Sequence, residues 1–224
     1  MRRIAASLCA LALAPAAFAE RQPYFDVSLS LGMPATETVR NAGAGNPDNN
    51  PGVIDLTTAS GFGIAAAYGF APVGQLRGIE FELGYYRAET DDFSTPDGYP
   101  IVWLRSDPNN YESSAPALGD VATTSFMVNT YGEFGEGGPS PYLGVGLGVA
   151  LHQVDVTTDV GILKRGLITT VTDEAVVFAW QVMAGITYKG VRLGYRYFAT
   201  ADADIDGLEL THGRHSAEIG LTFH

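Results

Sequence analysis

The chain has 224 residues and a formal net charge of −12, with 25 Asp and Glu against 13 Lys and Arg. So acidic a chain is repelled by phosphate backbones, which argues against nucleic acid as a partner. Its single cysteine, Cys9, lies in the first 19 residues, so a chain processed after them carries no disulfide.

Arg2 and Arg3 form a short positive segment, residues 4–14 are apolar, and Ala17-Phe18-Ala19 is a small-x-small cleavage site. This order predicts a secretory signal peptide over 1–19, with the mature chain starting at Glu20. The apolar run is shorter than the roughly 20 residues a spanning helix needs, and no later stretch reaches that length. Leu8 precedes Cys9 where a lipoprotein site would need a small residue. Residues 20–224 contain no linker, charge block or internal repeat, so they are expected to form one domain.

Period-2 alternation recurs along that domain, and no 3.6-residue period interrupts it. The first predicted strand, 24–32, sets Phe25, Val27, Leu29 and Leu31 against Asp26, Ser28 and Ser30. The second, 58–70, sets Phe62, Ile64, Ala66, Tyr68 and Phe70 against Gly61, Gly63, Ala65, Ala67 and Gly69. The third, 78–89, sets Ile79, Phe81, Leu83 and Tyr85 against Glu80, Glu82, Gly84 and Tyr86. The fourth, 122–134, sets Phe126, Val128 and Phe134 against Met127, Asn129, Tyr131 and Glu133. The fifth, 142–154, alternates Leu143, Val145, Leu147, Val149 and Leu151 with Gly144, Gly146, Gly148, Ala150 and His152. The sixth, 175–188, sets Phe178, Trp180, Val182, Ala184, Ile186 and Tyr188 against Gln181, Met183, Gly185 and Thr187. The seventh, 191–198, sets Val191, Leu193, Tyr195 and Tyr197 against Arg192, Gly194 and Arg196. The eighth, 215–223, sets Ile219, Leu221 and Phe223 against Glu218, Gly220 and Thr222.

Connections after the second, fourth and sixth strands are short: 71–77, 135–141, and Lys189-Gly190. Those after the odd-numbered strands are long. An even number of alternating strands with short turns on one side and long loops on the other is the pattern of a bacterial outer-membrane barrel. The fold class expected is therefore all-β, an eight-stranded antiparallel up-and-down transmembrane barrel, with termini in the periplasm and long loops outside. A soluble barrel would turn its bulky apolar set inward. Here glycines share parity with the charges: Gly84 with Glu80 and Glu82, Gly194 with Arg192 and Arg196, Gly220 with Glu218. Small residues suit a crowded lumen, since about eight strands leave only enough room for side chains to fill it. The bulky set then faces outward, where only lipid is a suitable solvent. Tyr24, Tyr68, Tyr188 and Phe223 near one rim, with Tyr85 and Trp180 near the other, are expected to form two aromatic girdles.

Several of these stretches resemble one family. Ser140-Pro141-Tyr142-Leu143-Gly144-Val145-Gly146-Leu147-Gly148 resembles the PYxGxGxG strand of small outer-membrane barrels of the surface-antigen and opacity-protein type, relatives of the OmpA transmembrane domain. Phe178-Ala179-Trp180-Gln181 with Gly185 is similar to that family's next strand. Leu193-Gly194-Tyr195-Arg196-Tyr197-Phe198 resembles its LGYRY motif, and 215–223 its closing strand. The resemblance implies that Phe223 serves as the assembly signal read by the barrel-assembly machinery. His224 departs from it, following the aromatic where the family ends on it.

The long connections, taken as 33–57, 89–120, 155–174 and 199–211, hold 18 Asp and Glu against Arg40, Arg105, Lys164 and Arg165. The rest of the mature chain balances seven acids with seven bases, so the whole negative charge sits on one side. Such loops attract divalent cations diffusely, repel anionic surfaces, and suit spacing within a lipopolysaccharide layer. Inside, Asp26, Glu80, Glu82, Glu133 and Glu218 face Arg192, Arg196 and Arg214. Unpaired charges there are costly, so an ion-pair network is expected.

Asp202, Asp204 and Asp206 with Gly207 resemble the start of an EF-hand loop, but Gly213 stands where the final bidentate Glu belongs. This is a weak metal candidate, and no cofactor is expected. Some eight-stranded barrels resemble lipid A esterases or acyltransferases, and His212, His215, Ser216 and Glu218 invite that comparison. Adjacent strand residues point to opposite faces, which separates His215 from Ser216, and no catalytic residue is assigned. The expected role is structural or surface-interacting: envelope integrity, adhesion or host contact through four acidic loops. Its partners would be outer-membrane lipid, lipopolysaccharide and host or environmental surface ligands. A low-conductance pore is the alternative and a lipid A-modifying enzyme the third reading.

Overall fold

The computed structural model describes residues 22–41, 53–70, 78–94, 102–103, 111–112, 114–135, 138–158, 169–205 and 208–224. The expected signal peptide at 1–19 and the short turn at 71–77 lie outside the described residues, as do Arg105, Lys164 and Arg165.

The described strands are, in chain order, β1 (Pro23–Gly32), β2 (Ala35–Asn41), β3 (Val53–Thr58), β4 (Phe62–Phe70) and β5 (Gly78–Ser94). There follow β6 (Val102–Trp103), β7 (Tyr111–Glu112), β8 (Ser114–Glu133), β9 (Ser140–Thr158) and β10 (Thr169–Tyr188). The chain ends with β11 (Val191–Thr200), β12 (Ala203–Ile205), β13 (Leu208–Thr211) and β14 (Gly213–Phe223). β1, β4, β5, β8, β9, β10, β11 and β14 form the barrel, each antiparallel to the next. β14 returns to β1, with Phe25 opposite Phe223 and Gly32 opposite Ser216, and the ring closes. The fold is thus a closed eight-stranded antiparallel barrel.

Side-chain burial is inverted relative to a water-soluble protein. Leu83 is 59% exposed while its neighbour Glu82 is 2% exposed. Leu29, Ile64, Phe126, Leu147, Phe178, Leu193 and Ile219 are exposed around the wall, and Asp26, Glu80 and Arg196 are buried. An apolar belt of this kind is stable only against hydrocarbon. Closure then satisfies every strand edge, which hydrocarbon cannot.

Lys189 and Gly190 both have positive φ, 49° and 78°, between the paired Tyr188 and Val191. This is the two-residue hairpin whose twist matches the flanking strands. The first and last described strands begin and end at this turn end, with Phe25 opposite Phe223 and the Thr222 N–H donating to the Gly190 carbonyl. At the opposite, loop end the wall extends further than the alternation predicts. The strand expected at 122–134 runs over Ser114–Glu133, and that expected at 175–188 over Thr169–Tyr188. Beyond the belt the outward residues become Arg87, Asp120, Gln153 and Glu174, so the strands continue while their hydrophobic signal stops. The predicted second strand, 58–70, is broken into β3 and β4, and much of the expected loop 33–57 is strand. β2, β3, β12 and β13 form a sheet, joined through β3 to β5, that carries the barrel past the belt. At the break, ideal Cβ atoms on Gly32 and Gly61 would stand 2.0 and 2.3 Å from the Tyr86 hydroxyl, so only glycine admits that ring.

One girdle residue is corrected. Tyr68, Tyr188 and Phe223 are exposed at the turn-end rim, and Tyr85 and Trp180 are exposed toward the loop end. Tyr24 is buried, because its even position shares the inward face with Asp26 and Ser28. Its hydroxyl donates to Glu80 at 2.8 Å.

Strand proximity is set by inward glycines. A Cβ on Gly148 would meet the Phe126 carbonyl oxygen at 2.0 Å and the Met127 Sδ at 2.7 Å. Gly148→Ala is therefore expected to lose about 1–3 kcal/mol through overpacking. Val149→Leu, on the exposed face, should leave stability unchanged; urea unfolding in detergent, followed by heat-modifiable gel mobility, compares them.

Candidate functional site

The lumen is filled in layers that follow strand order. Nearest the turn end, Tyr24, Tyr131 and Tyr142 surround a cavity of about 120 Å³, also lined by Glu133, Arg192 and His224. The His224 ring lies 6.2 Å from that of Tyr24, so the residue after the closing aromatic covers this mouth.

The next layers hold the charges. Arg192 Nη2 is 2.6 Å from Asp26 Oδ1 and 3.5 Å from Glu80 Oε2. Thr222 Oγ1 donates to Asp26 at 2.8 Å. Asn129 Nδ2 donates to Glu80 at 3.0 Å and to Glu82 at 3.2 Å, and Gln181 Nε2 donates to Asn129 Oδ1 at 2.7 Å. Arg196 forms a fork on Glu82: Nη2 donates to Oε2 at 2.9 Å and Nη1 to Oε1. Its Nη1 also donates to Gln181 at 3.0 Å, and its Nε stands 2.9 Å from Glu218 Oε1. Each guanidinium thus lies between two carboxylates, on geometry that offsets the cost of desolvating them. Glycines opposite leave the room: a Cβ on Gly146 would stand 2.1 Å from Asn129 Oδ1, and one on Gly194 2.1 Å from the Tyr142 hydroxyl.

Two of the eight residues expected in this cluster sit elsewhere. Glu133 is exposed at the turn-end mouth, the last residue of β8. Arg214 lies nearer the loop end, its guanidinium 3.8 Å from the Tyr86 ring and 4.5 Å from the Phe198 ring. Its Nε and Nη1 have no hydrogen-bond partner among the described residues. Parity placed both residues inward, but the level along the strand, which decides the partner, comes from the register.

Above Arg214 is a second polar group. Glu37 on β2, His152 on β9 and His212 just before β14 are 1%, 0% and 3% exposed. His212 Nδ1 lies 2.5 Å from Glu37 Oε1, and His152 Nε2 lies 3.9 Å from Glu37 Oε2. The imidazoles are 4.8 Å apart, and His152 Nδ1 is 3.1 Å from Thr123 Oγ1. Burial pushes the Glu37 carboxyl up, but the adjoining His212, with His152 and Arg214, outweighs it and holds the group below the usual carboxylate range. Apolar layers flank the triad: Met127, Ala150, Ala179 and Phe198 toward the turn end. Leu56, Val121, Val154, Val156 and Leu210 lie toward the loop end.

The sequence showed His152 as an inward residue and Glu37 only as one acid of a long loop. Nothing in spacing joins Glu37 to His212 across 175 positions. The other sequence candidates are dispersed. His215 is on the outer face, hydrogen-bonded to the Tyr195 hydroxyl, whereas Ser216 is buried behind it. Asp202 accepts from Thr211 at 2.7 Å. Ala203–Ile205 is extended and paired to β13, unlike the curved backbone of a calcium loop, and Asp206 lies outside the described residues. Phe223 is exposed opposite Phe25 at the seam.

An outward apolar belt around a charged, filled interior on a closed up-and-down sheet defines an integral outer-membrane barrel. The chain belongs to the outer membrane protein beta-barrel domain family, whose model matches residues 4–222. Among solved structures it is similar to Neisserial surface protein A (NspA), at 16% identity over 89% of this chain and 96% of that one, with a TM-score of 0.42. It is also similar to Ail, the attachment invasion locus protein of Yersinia pestis, solved with the heparin analogue sucrose octasulfate. That match has 16% identity over 89% and 99% of the two chains and a TM-score of 0.38. No curated protein matches the chain in sequence.

Removing one partner of the buried fork leaves an uncompensated charge. Arg196→Ala is expected to cost about 3–5 kcal/mol. Arg87→Ala breaks the exposed 2.8 Å pair with Asp120 and should cost less than about 1 kcal/mol. Equilibrium urea unfolding in lipid vesicles measures both.

Proposed function

We propose that the protein is a non-conducting outer-membrane scaffold that presents an acidic surface outside the cell and contributes to envelope integrity and surface contact. The observation carrying this reading is the filled lumen. Arg192 and Arg196 are each held between carboxylates, and Met127, Ala150, Ala179 and Phe198 pack together in the same interior. A pore needs mobile water along its length; the guanidinium at that level, Arg214, is buried against the Tyr86 and Phe198 rings and does not line an open path. What remains available to partners is the loop end. The wall there runs beyond the apolar belt and carries Arg87, Asp120, Gln153 and Glu174 outward.

In this reading the signal peptide at 1–19 directs export, Phe223 closes the assembly signal, and the termini face the periplasm. The acidic connections then stand among lipopolysaccharide. They contact host or environmental surfaces through cation bridges or basic patches, screened by salt.

Planar-bilayer recording tests the lumen: neither the wild type nor Arg196→Ala should give channel events, and steady openings in the wild type would overturn the closed-lumen reading. The surface role is tested in a deletion strain complemented with the intact chain or with a chain trimmed at 42–52, 95–110 and 159–168. The intact chain should restore both detergent resistance and adhesion. The trimmed chain should restore resistance without adhesion, and equal adhesion by both would refute contact through these connections.

A further inference from the structure

The Glu37, His152 and His212 triad is not used by a scaffold role, and it is buried between two apolar layers. Burying polar groups is costly unless each finds a partner. Here Glu37 Oε2, His152 Nε2 and His212 Nε2 have no hydrogen-bond partner among the described residues. Arg196, Thr200 and Arg214 also hold buried atoms without such a partner among the described residues, but only here do three potential metal-ligating side chains carry them at one place, and an ion is one of the recognised explanations.

The donor atoms suit one. One ligand atom from each residue lies within 4.8 Å of the others. Zinc bonds to imidazole nitrogen and carboxylate oxygen at about 2.0–2.2 Å, so tetrahedral donors stand roughly 3.4 Å apart. His152 Nε2 stands 3.9 Å from Glu37 Oε2, near that spacing, while His212 Nδ1 is hydrogen-bonded to the other carboxylate oxygen, Oε1, so His212 would shift or turn to present a nitrogen to the ion. Two imidazoles and one carboxylate, with a fourth position open, favour a late first-row metal over calcium or magnesium, which take oxygen donors. Thr123 completes the geometry. When His152 donates from Nδ1 to Thr123 Oγ1, its Nε2 lone pair faces Glu37, the outer-shell arrangement that orients metal-bound histidines.

We propose that Glu37, His152 and His212 form a binding site for a divalent transition metal of the zinc type. The ion would tie β2, β9 and the segment entering β14 together across the lumen. β2 is already paired to the segment entering β14 through Thr38 and Thr211, so what the ion would add is a link from that pair to β9 across the lumen.

The test uses untagged protein purified from outer membranes in detergent and stripped with a chelator. Titration with zinc chloride by calorimetry should show one saturable site per chain that excess calcium does not displace, and cobalt should give a tetrahedral absorption spectrum. Glu37→Gln, His152→Gln and His212→Gln should each abolish that site. Thr123→Val should weaken it by about 10–100-fold while leaving all three ligands in place. His215→Ala, on the outer face, should bind as the wild type does. Folding of each variant is read from heat-modifiable gel mobility, and should the ligand variants misfold, the wild-type stoichiometry and cobalt spectrum decide. No saturable zinc site in the wild type would overturn the proposal. So would affinity unchanged in folded ligand variants, which would mean diffuse binding to the acidic connections.

Discussion

Hydrocarbon offers no hydrogen bonds, so a chain crossing it by strands must pair its first strand with its last. In this protein the pairing runs from Phe25 opposite Phe223 to Gly32 opposite Ser216, joining residues at the two ends of the domain. Other features of the barrel depend on that closure. A closed ring has an inside, the inside of eight strands is narrow, and side chains pointing there must fit one another. Glycines at 144, 146, 148, 185 and 194 leave space that Asn129, Gln181 and Tyr142 then occupy. Outside, the same alternation leaves Leu83, Leu147 and Ile219 for lipid.

The lumen also shows how buried charge is managed. Arg196 is bound by a fork to Glu82 and lies beside Glu218, while Asn129 donates a further hydrogen bond to Glu82 and Gln181 accepts one from Arg196. Such a network is a costly way to fill a volume, since apolar side chains of similar size often do as well. Its use here correlates with the way the barrel is divided: a polar plug in the belt, an apolar layer above it, then a small polar triad, then the apolar interior of the extension. Phe198 and Met127 lie between the triad and the plug, and Arg214, stacked on Phe198 and Tyr86, is a buried charge between them.

Much of this was legible in alternation alone. Parity assigned inward and outward faces across the eight barrel strands because a strand's side-chain period is two and only one face met lipid. It failed where lipid stopped. Past the belt, outward positions turn polar at Arg87, Asp120, Gln153 and Glu174 while inward ones such as Leu56, Val121 and Leu210 form a small core, so the sequence there read as loop. Tyr24 was misplaced for a different reason: tyrosine suits a membrane rim and a polar lumen equally, and only its even position distinguishes them. Arg214 and Glu133 had the correct parity but the wrong level along the barrel.

By itself, the sequence determined the class of fold, the number of crossing strands, the connection pattern and the sign of each face, because these are local consequences of period and composition. The tertiary structure decided which inward groups meet. Register placed Arg192 against Asp26 and Glu80, moved Arg214 onto Tyr86 and Phe198, and brought Glu37, His152 and His212 together from three distant parts of the chain. Those meetings depend on barrel stagger and closure, which sum over all eight strands, so no single stretch of sequence carries them.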